Sequence, residues 1–112
     1  MTATVEKVLG QSYPSAASLT DLYTVPAATS TVVTSMIVCN QSATATTFSI
    51  TVAPAGAVDI PAHYQYCLYS IDGTMTIRLD NLRWTLATTD KIRVYSTLQS
   101  LSFTAFGSER SL

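Results

Sequence analysis

Apolar and polar residues alternate along most of this chain. In Thr47-Phe48-Ser49-Ile50-Thr51-Val52, Phe48, Ile50 and Val52 fall on one side and Ser49 and Thr51 on the other. A period of two marks a strand with one buried face. Ala53-Pro54-Ala55-Gly56 then breaks the run. Thr74-Met75-Thr76-Ile77-Arg78-Leu79 repeats the pattern, with Met75, Ile77 and Leu79 expected inward. Asp72-Gly73 stands just before it, and this pair favours a tight hairpin turn. Residues 63–71 are therefore expected to be its antiparallel partner. Lys91-Ile92-Arg93-Val94-Tyr95 and Leu101-Ser102-Phe103-Thr104-Ala105 alternate again. Residues 31–40 are more continuously apolar, as in a central strand, and residues 19–25 form a shorter strand stopped by Pro26.

Residues 6–11 complete a set of about eight strands, with turn residues between them at short intervals. This pattern predicts an all-β fold, an antiparallel sandwich or barrel, with a jelly roll among the arrangements it allows. The expected core is Phe48, Ile50, Val52, Met75, Ile77, Leu79, Ile92, Val94 and Phe103. No long window keeps a helical spacing. Residues 80–86 read as a loop followed by a short strand, because Thr85, Thr88 and Thr89 are poor helix formers. At 112 residues the chain suits one domain, 1–112, with a short polar N-terminal arm over about residues 1–7 that is expected to be unpaired.

Composition sharpens this picture. Charged residues make up only 12% against 47% hydrophobic, where an average domain carries about 25% charged residues. Thr and Ser supply the missing polarity, and threonine fits a pleated surface. With a net charge of −1 there is no basic field to hold a polyanion, so no nucleic-acid partner is expected. The start, Met1-Thr2-Ala3-Thr4-Val5-Glu6-Lys7, has no signal-peptide pattern, and no run is apolar enough to span a membrane. Synthesis in the cytoplasm is expected, with no membrane partner.

Candidate chemistry is sparse. Cys39 and Cys67 read as two buried thiols, with a disulfide between neighbouring strands as the alternative in an oxidising setting, and two cysteines with one histidine give no zinc spacing. His63 reads as a surface or edge histidine, because no nucleophile-elbow pattern surrounds any serine. Asp72, Asp80 and Asp90 lie at turn positions, where aspartate bonds its own backbone. With only four glycines there is no phosphate loop. The chain is expected to be no enzyme and to need no cofactor or metal. Tyr64, Tyr66 and Tyr69 are the informative cluster, with Tyr64 and Tyr66 expected on one strand face. They suit core packing with wet hydroxyls, a subunit interface, or a platform for stacking sugars. Arg78, Arg83 and Arg93 are expected outward. Tyr64, Tyr66, Arg78 and Arg83 are the candidate interface residues.

Several blocks resemble small virion proteins of tailed bacteriophages, especially marine and cyanobacterial phages. These are Val8-Leu9-Gly10-Gln11, Leu19-Thr20-Asp21-Leu22-Tyr23-Thr24-Val25-Pro26, Ile37-Val38-Cys39-Asn40 with Thr46-Thr47-Phe48, residues 86–96, and Leu101-Ser102-Phe103. They are strand-and-turn patterns, and residues 57–83 depart from them. The resemblance implies a structural component of a phage particle. It would be a capsid cement or decoration protein on the head surface, in many copies. A tail, baseplate or fibre part is the alternative. The implied partners are the major capsid protein or tail proteins and further copies of the chain, often as trimers, and the implied location is the virion. A carbohydrate-binding β-sandwich module is the competing reading.

Overall fold

The alternating segments all become strands. In chain order they are β1 (Thr4–Ser12), β2 (Thr20–Thr24), β3 (Thr29–Asn40), β4 (Thr46–Ala53), β5 (Tyr64–Ile71), β6 (Thr76–Leu79), β7 (Trp84–Leu86), β8 (Lys91–Ser96) and β9 (Leu101–Ser111). The structure is a computed structural model describing residues 4–112. One sheet runs β1-β9-β3-β6, with β7 also paired to β3, and the other runs β2-β8-β4-β5. The pairing is nested and antiparallel: β1 with β9, β2 with β8, β3 with β6 and β4 with β5. The chain is thus a double ribbon bent between β4 and β5. It is rolled so that β9 also pairs β3 and β8 also pairs β4. This is jelly-roll topology, with one short strand added.

Rolling brings the apolar faces together. Phe48, Ile50, Ile92 and Val94 of one sheet are fully buried against Val33, Met36, Val38, Phe103 and Ala105 of the other. Phe48 meets Phe103 edge-on, with ring centroids 5.9 Å apart. Leu79 is buried as expected, while Val52 and Ile77 are half-buried and pack on the core from its margin. Met75 is not in the core but 46% exposed. It precedes β6, and its N–H donates to the Asp72 carbonyl, so it belongs to a turn rather than to the pleat.

The expected hairpin at Asp72-Gly73 does not form. β5 pairs with β4 and β6 with β3, so the chain crosses from one sheet to the other over this dipeptide. Thr74, not Gly73, takes the positive φ. Gly73 is needed for a different reason: a Cβ there would stand 2.0 Å from the Ala43 carbonyl oxygen. Asn40 ties this crossing. Its buried amide donates to the carbonyls of Thr44 (2.9 Å) and Asp72 (3.2 Å), and its backbone N–H donates to Met75.

The described part of the expected N-terminal arm is also paired. Thr4, Val5, Glu6 and Lys7 stand opposite Arg110, Glu109, Ser108 and Gly107 in β9, and Lys7 reaches the Glu109 carboxylate at 3.3 Å. A free arm would leave residues 107–110 of β9 unpaired along one side. Residues 1–3 of that arm lie outside the described residues.

Part of the outer face of the β2-β8-β4-β5 sheet is covered by the segment between β4 and β5, and a charged clamp holds it down. Arg93 of β8 donates to the carbonyls of Gly56 (3.0 Å) and Ala57 (2.7 Å), and it pairs with Asp21 (3.0 Å) and Asp59 (3.1 Å). Asp59 also accepts from Thr51 (3.0 Å) and meets His63 Nδ1 at 2.9 Å. His63 is therefore a clamp residue with an 11% exposed side chain, and Arg93 points outward yet is covered, at 15%. Burial pushes the Asp59 carboxyl up, but hydrogen bonds from His63, Arg93 and Thr51 together outweigh it and hold it below the usual value. At Asp21 the Lys91 hydrogen bond leads, and the carboxyl is likewise held low against a smaller upward push from burial.

Two predictions follow the packing and the clamp. Phe48→Ala should lower unfolding free energy in a urea titration by about 3–5 kcal/mol, whereas Met75→Ala should change it by no more than about 0.5 kcal/mol. The depressed carboxyls give stability that is fully present above about pH 4 and is lost as pH falls through their folded values. Asp59→Asn should therefore cost about 2 kcal/mol at neutral pH. It should also flatten the acid limb of the melting temperature measured against pH.

Candidate interaction surface on the β5 edge

The two flanks of the sandwich differ. Along one, β1 and β2 lie together, and Tyr23 of β2 donates to Glu109 of β9 at 2.5 Å while meeting the Thr31 hydroxyl at 2.8 Å. Burial first, and the Glu109 carboxylate beside it second, push the Tyr23 phenol up to about 12. That flank is closed by a buried polar tie. The other flank is formed by β5 and β6, and here the tyrosine cluster lies.

Tyr66 and Tyr69 stand opposite Ile50 and Phe48 and share their inward face. Their rings lie 6.2 and 5.6 Å from Phe48 and 5.7 Å from each other. Tyr66 is half-buried against the core, while Tyr69 is 50% exposed at its margin. Tyr64 does not share their face. The register of β5 on β4 shifts twice, between Phe48 and Ile50 and between Ile50 and Thr51, and Tyr64 pairs with Thr51 on the outer side. The first irregularity, between Tyr69 and Tyr66, centres on Leu68, whose φ is 48° and whose N–H donates to the buried Ser49 hydroxyl at 2.8 Å; the second falls at Gln65, between Tyr66 and Tyr64. An inserted residue in one strand of a pair is a bulge, and it reverses which side later residues face.

Tyr64, Cys67, Leu68, Ser49 and Tyr95 line a shallow hollow of about 180 Å³ on the outer face. It lies on the part of the sheet that the clamped segment leaves bare, and none of these five residues carries a formal charge. Cys67 is exposed, not buried, and Cys39 is half-buried on the other sheet, so the two thiols are free and unpaired with each other. A wider hollow of about 430 Å³ crosses the β1-β9-β3-β6 sheet beside Glu6, Lys7, Thr34 and Phe106. Its lysine is engaged by Glu109, and it gathers no cluster of aromatic rings.

The expected arginines stand apart from the tyrosines. Arg78 lies on β6 of the other sheet, exposed, with Asp80 at 3.3 Å. Arg83 is exposed in the β6–β7 connection with a φ of 52°. The fold thus brings Tyr64 together with Cys67, Leu68 and Tyr95, not with the arginines. Leu68 and Tyr95 carried no signal in the sequence beyond alternation, because the bulge that exposes Leu68 has no sequence signature here. Among the described residues no three His, Cys, Asp or Glu side chains are grouped to hold a metal ion, and no helix is long and apolar enough to cross a membrane.

No protein-family model matches this chain, and no curated protein matches it. The fold has a counterpart among solved structures. A chain in the structure of infectious bursal disease virus Gx strain superposes with a TM-score of 0.54 at 13% identity. The match covers 98% of this chain and 31% of that one, so the chain spans less than a third of its neighbour's length. At this identity the likeness is one of fold: the two-sheet β-sandwich recurs as a portion of a chain in a virus structure.

Proposed function

We propose that this chain is a non-enzymatic structural component of a virus particle. In its narrower form it is a cement or decoration protein of a tailed-phage head, held in many copies by neighbouring virion proteins and by copies of itself. The observation that carries this reading is the rolled, nested pairing of β1 to β9, an architecture that viral capsid domains use repeatedly. The likeness to a portion of a chain in a virus structure supports it. The bare, uncharged hollow of Tyr64, Cys67, Leu68 and Tyr95 supplies a surface for such contacts. Aromatic, desolvated anchors carry most of the energy in protein interfaces. The narrower form rests on the phage-like sequence blocks, and a tail or fibre position is its alternative.

Jelly rolls also occur in lectins, but the tyrosines argue against a sugar platform. Tyr66 is packed on Phe48, and Tyr64 and Tyr69 face different sides of the sheet, so no two of these three rings lie open on one face.

The test is mass spectrometry and quantitative gel analysis of purified particles. The expected result is this chain in many stoichiometric copies. The double variant Tyr64→Ser, Leu68→Ser should fold normally by circular dichroism and lose about tenfold or more of its occupancy. Absence from intact particles, together with glycan binding in an array, would replace this reading with the carbohydrate-binding one.

A further inference from the structure

We propose that β5 pairs antiparallel with β5 of a second copy of this chain across a two-fold axis, joining two β2-β8-β4-β5 sheets into one. The inference rests on the structural role above, in which copies of the chain meet one another.

β5 is an edge strand, bonded to β4 on one side only. An edge leaves a row of backbone donors and acceptors unpaired, and proteins guard such edges with charge, proline, brevity or bulges; bulges do not distinguish these edges, since β1 and β2 carry them as well as β5. The other edges are guarded. β1 carries Glu6 and Lys7. β2 has five residues and carries Asp21. β6 and β7 have four and three residues, with Arg78 in β6 and Arg83 just before β7. β5 has eight residues, Tyr-Gln-Tyr-Cys-Leu-Tyr-Ser-Ile, with no charge and no proline.

Charge also selects the occupant. Pairing across a two-fold axis brings a strand against itself. For β2 it would set Asp21 near Asp21, and for β6 Arg78 near Arg78. For β5 it opposes no like charges, and a strongly charged partner strand would find nothing there to attract it. A self-complementary patch is what an isologous interface requires.

The bulge fixes where the axis falls. The Leu68 N–H is turned toward β4, onto the Ser49 hydroxyl, so β5 is interrupted near its middle. With the axis at Cys67 and Leu68, residues 64–66 of one copy run beside 69–71 of the other. Residues 69–71 keep a regular register on β4, and the second register shift, between Tyr66 and Tyr64, falls at the outer end of each paired half. The two Cys67 side chains come to lie on one continuous outer face, at the spacing of neighbouring strands, about 5 Å between backbones.

Sedimentation and thiol cross-linking of the full chain test this. In a Cys39→Ser background, a short bis-maleimide should link Cys67 to Cys67 quantitatively, and the chain should sediment as a dimer rather than the trimer implied by the sequence resemblance. Gln65→Lys with Ser70→Lys should leave the circular dichroism spectrum unchanged and weaken the dimer by about tenfold. If that variant fails to fold, the cross-link alone decides. A strict monomer across micromolar concentrations, or an oligomer whose Cys67 does not cross-link, overturns the proposal. A Cys67-linked dimer that is missing from particles would overturn the virion role and leave the pairing standing, and a monomer present in particles would do the reverse.

Discussion

The contact between Phe48 and Phe103 is the interaction on which the arrangement of the molecule turns. The two rings come from β4 and β9, which share no sheet, and they meet edge-on at 5.9 Å with no solvent access to either. Large aromatic side chains contribute both area and a preferred geometry to a core. Phe48 is also the residue on which Tyr66 and Tyr69 rest. The ring that joins the sheets therefore sets the position of β5, and with it the exposed row that includes Tyr64, Cys67 and Leu68. Core and candidate interface are linked by one side chain.

The chain's few charges are used to fasten the other parts of the molecule. Arg93, Asp21, Asp59 and His63 bind the segment after β4 to the sheet beneath it, and Lys7 with Glu109 ties β1 to β9. Asn40 does the same for the crossing between β5 and β6 through neutral hydrogen bonds. What these ties leave bare is an uncharged strand edge with aromatic neighbours. Recognition at such a surface depends on backbone pairing and ring burial, with little electrostatic steering, and is correspondingly insensitive to salt.

The strands were legible in the sequence because period two is a local property. Phe48, Ile50, Ile92, Val94 and Phe103 are buried for the reason their alternation suggests. Partnership is a different kind of information. Asp72-Gly73 has the composition of a hairpin turn, yet it serves a crossing in which glycine is required by the nearness of Ala43. A ribbon whose distant ends pair with each other leaves no mark in any short window. Parity failed at two irregularities: an extra residue around Leu68 puts Tyr69 on the face of Tyr66 and exposes Cys67, and a second register shift at Gln65 separates Tyr64 from Tyr66. Arg93 follows the alternation but is covered by a loop whose course no periodicity describes.

The central claim is that the molecule meets its neighbours through β5, and amide hydrogen exchange compares its edges directly. The chain would be measured dilute enough to be monomeric and again in its assembled state. The account predicts that β5 amides outside the β4 ladder exchange freely in the monomer and become strongly protected on assembly, while those of β1 change little. Equal exchange at β5 in both states, with new protection at β1 or over the clamped segment after β4, would contradict it.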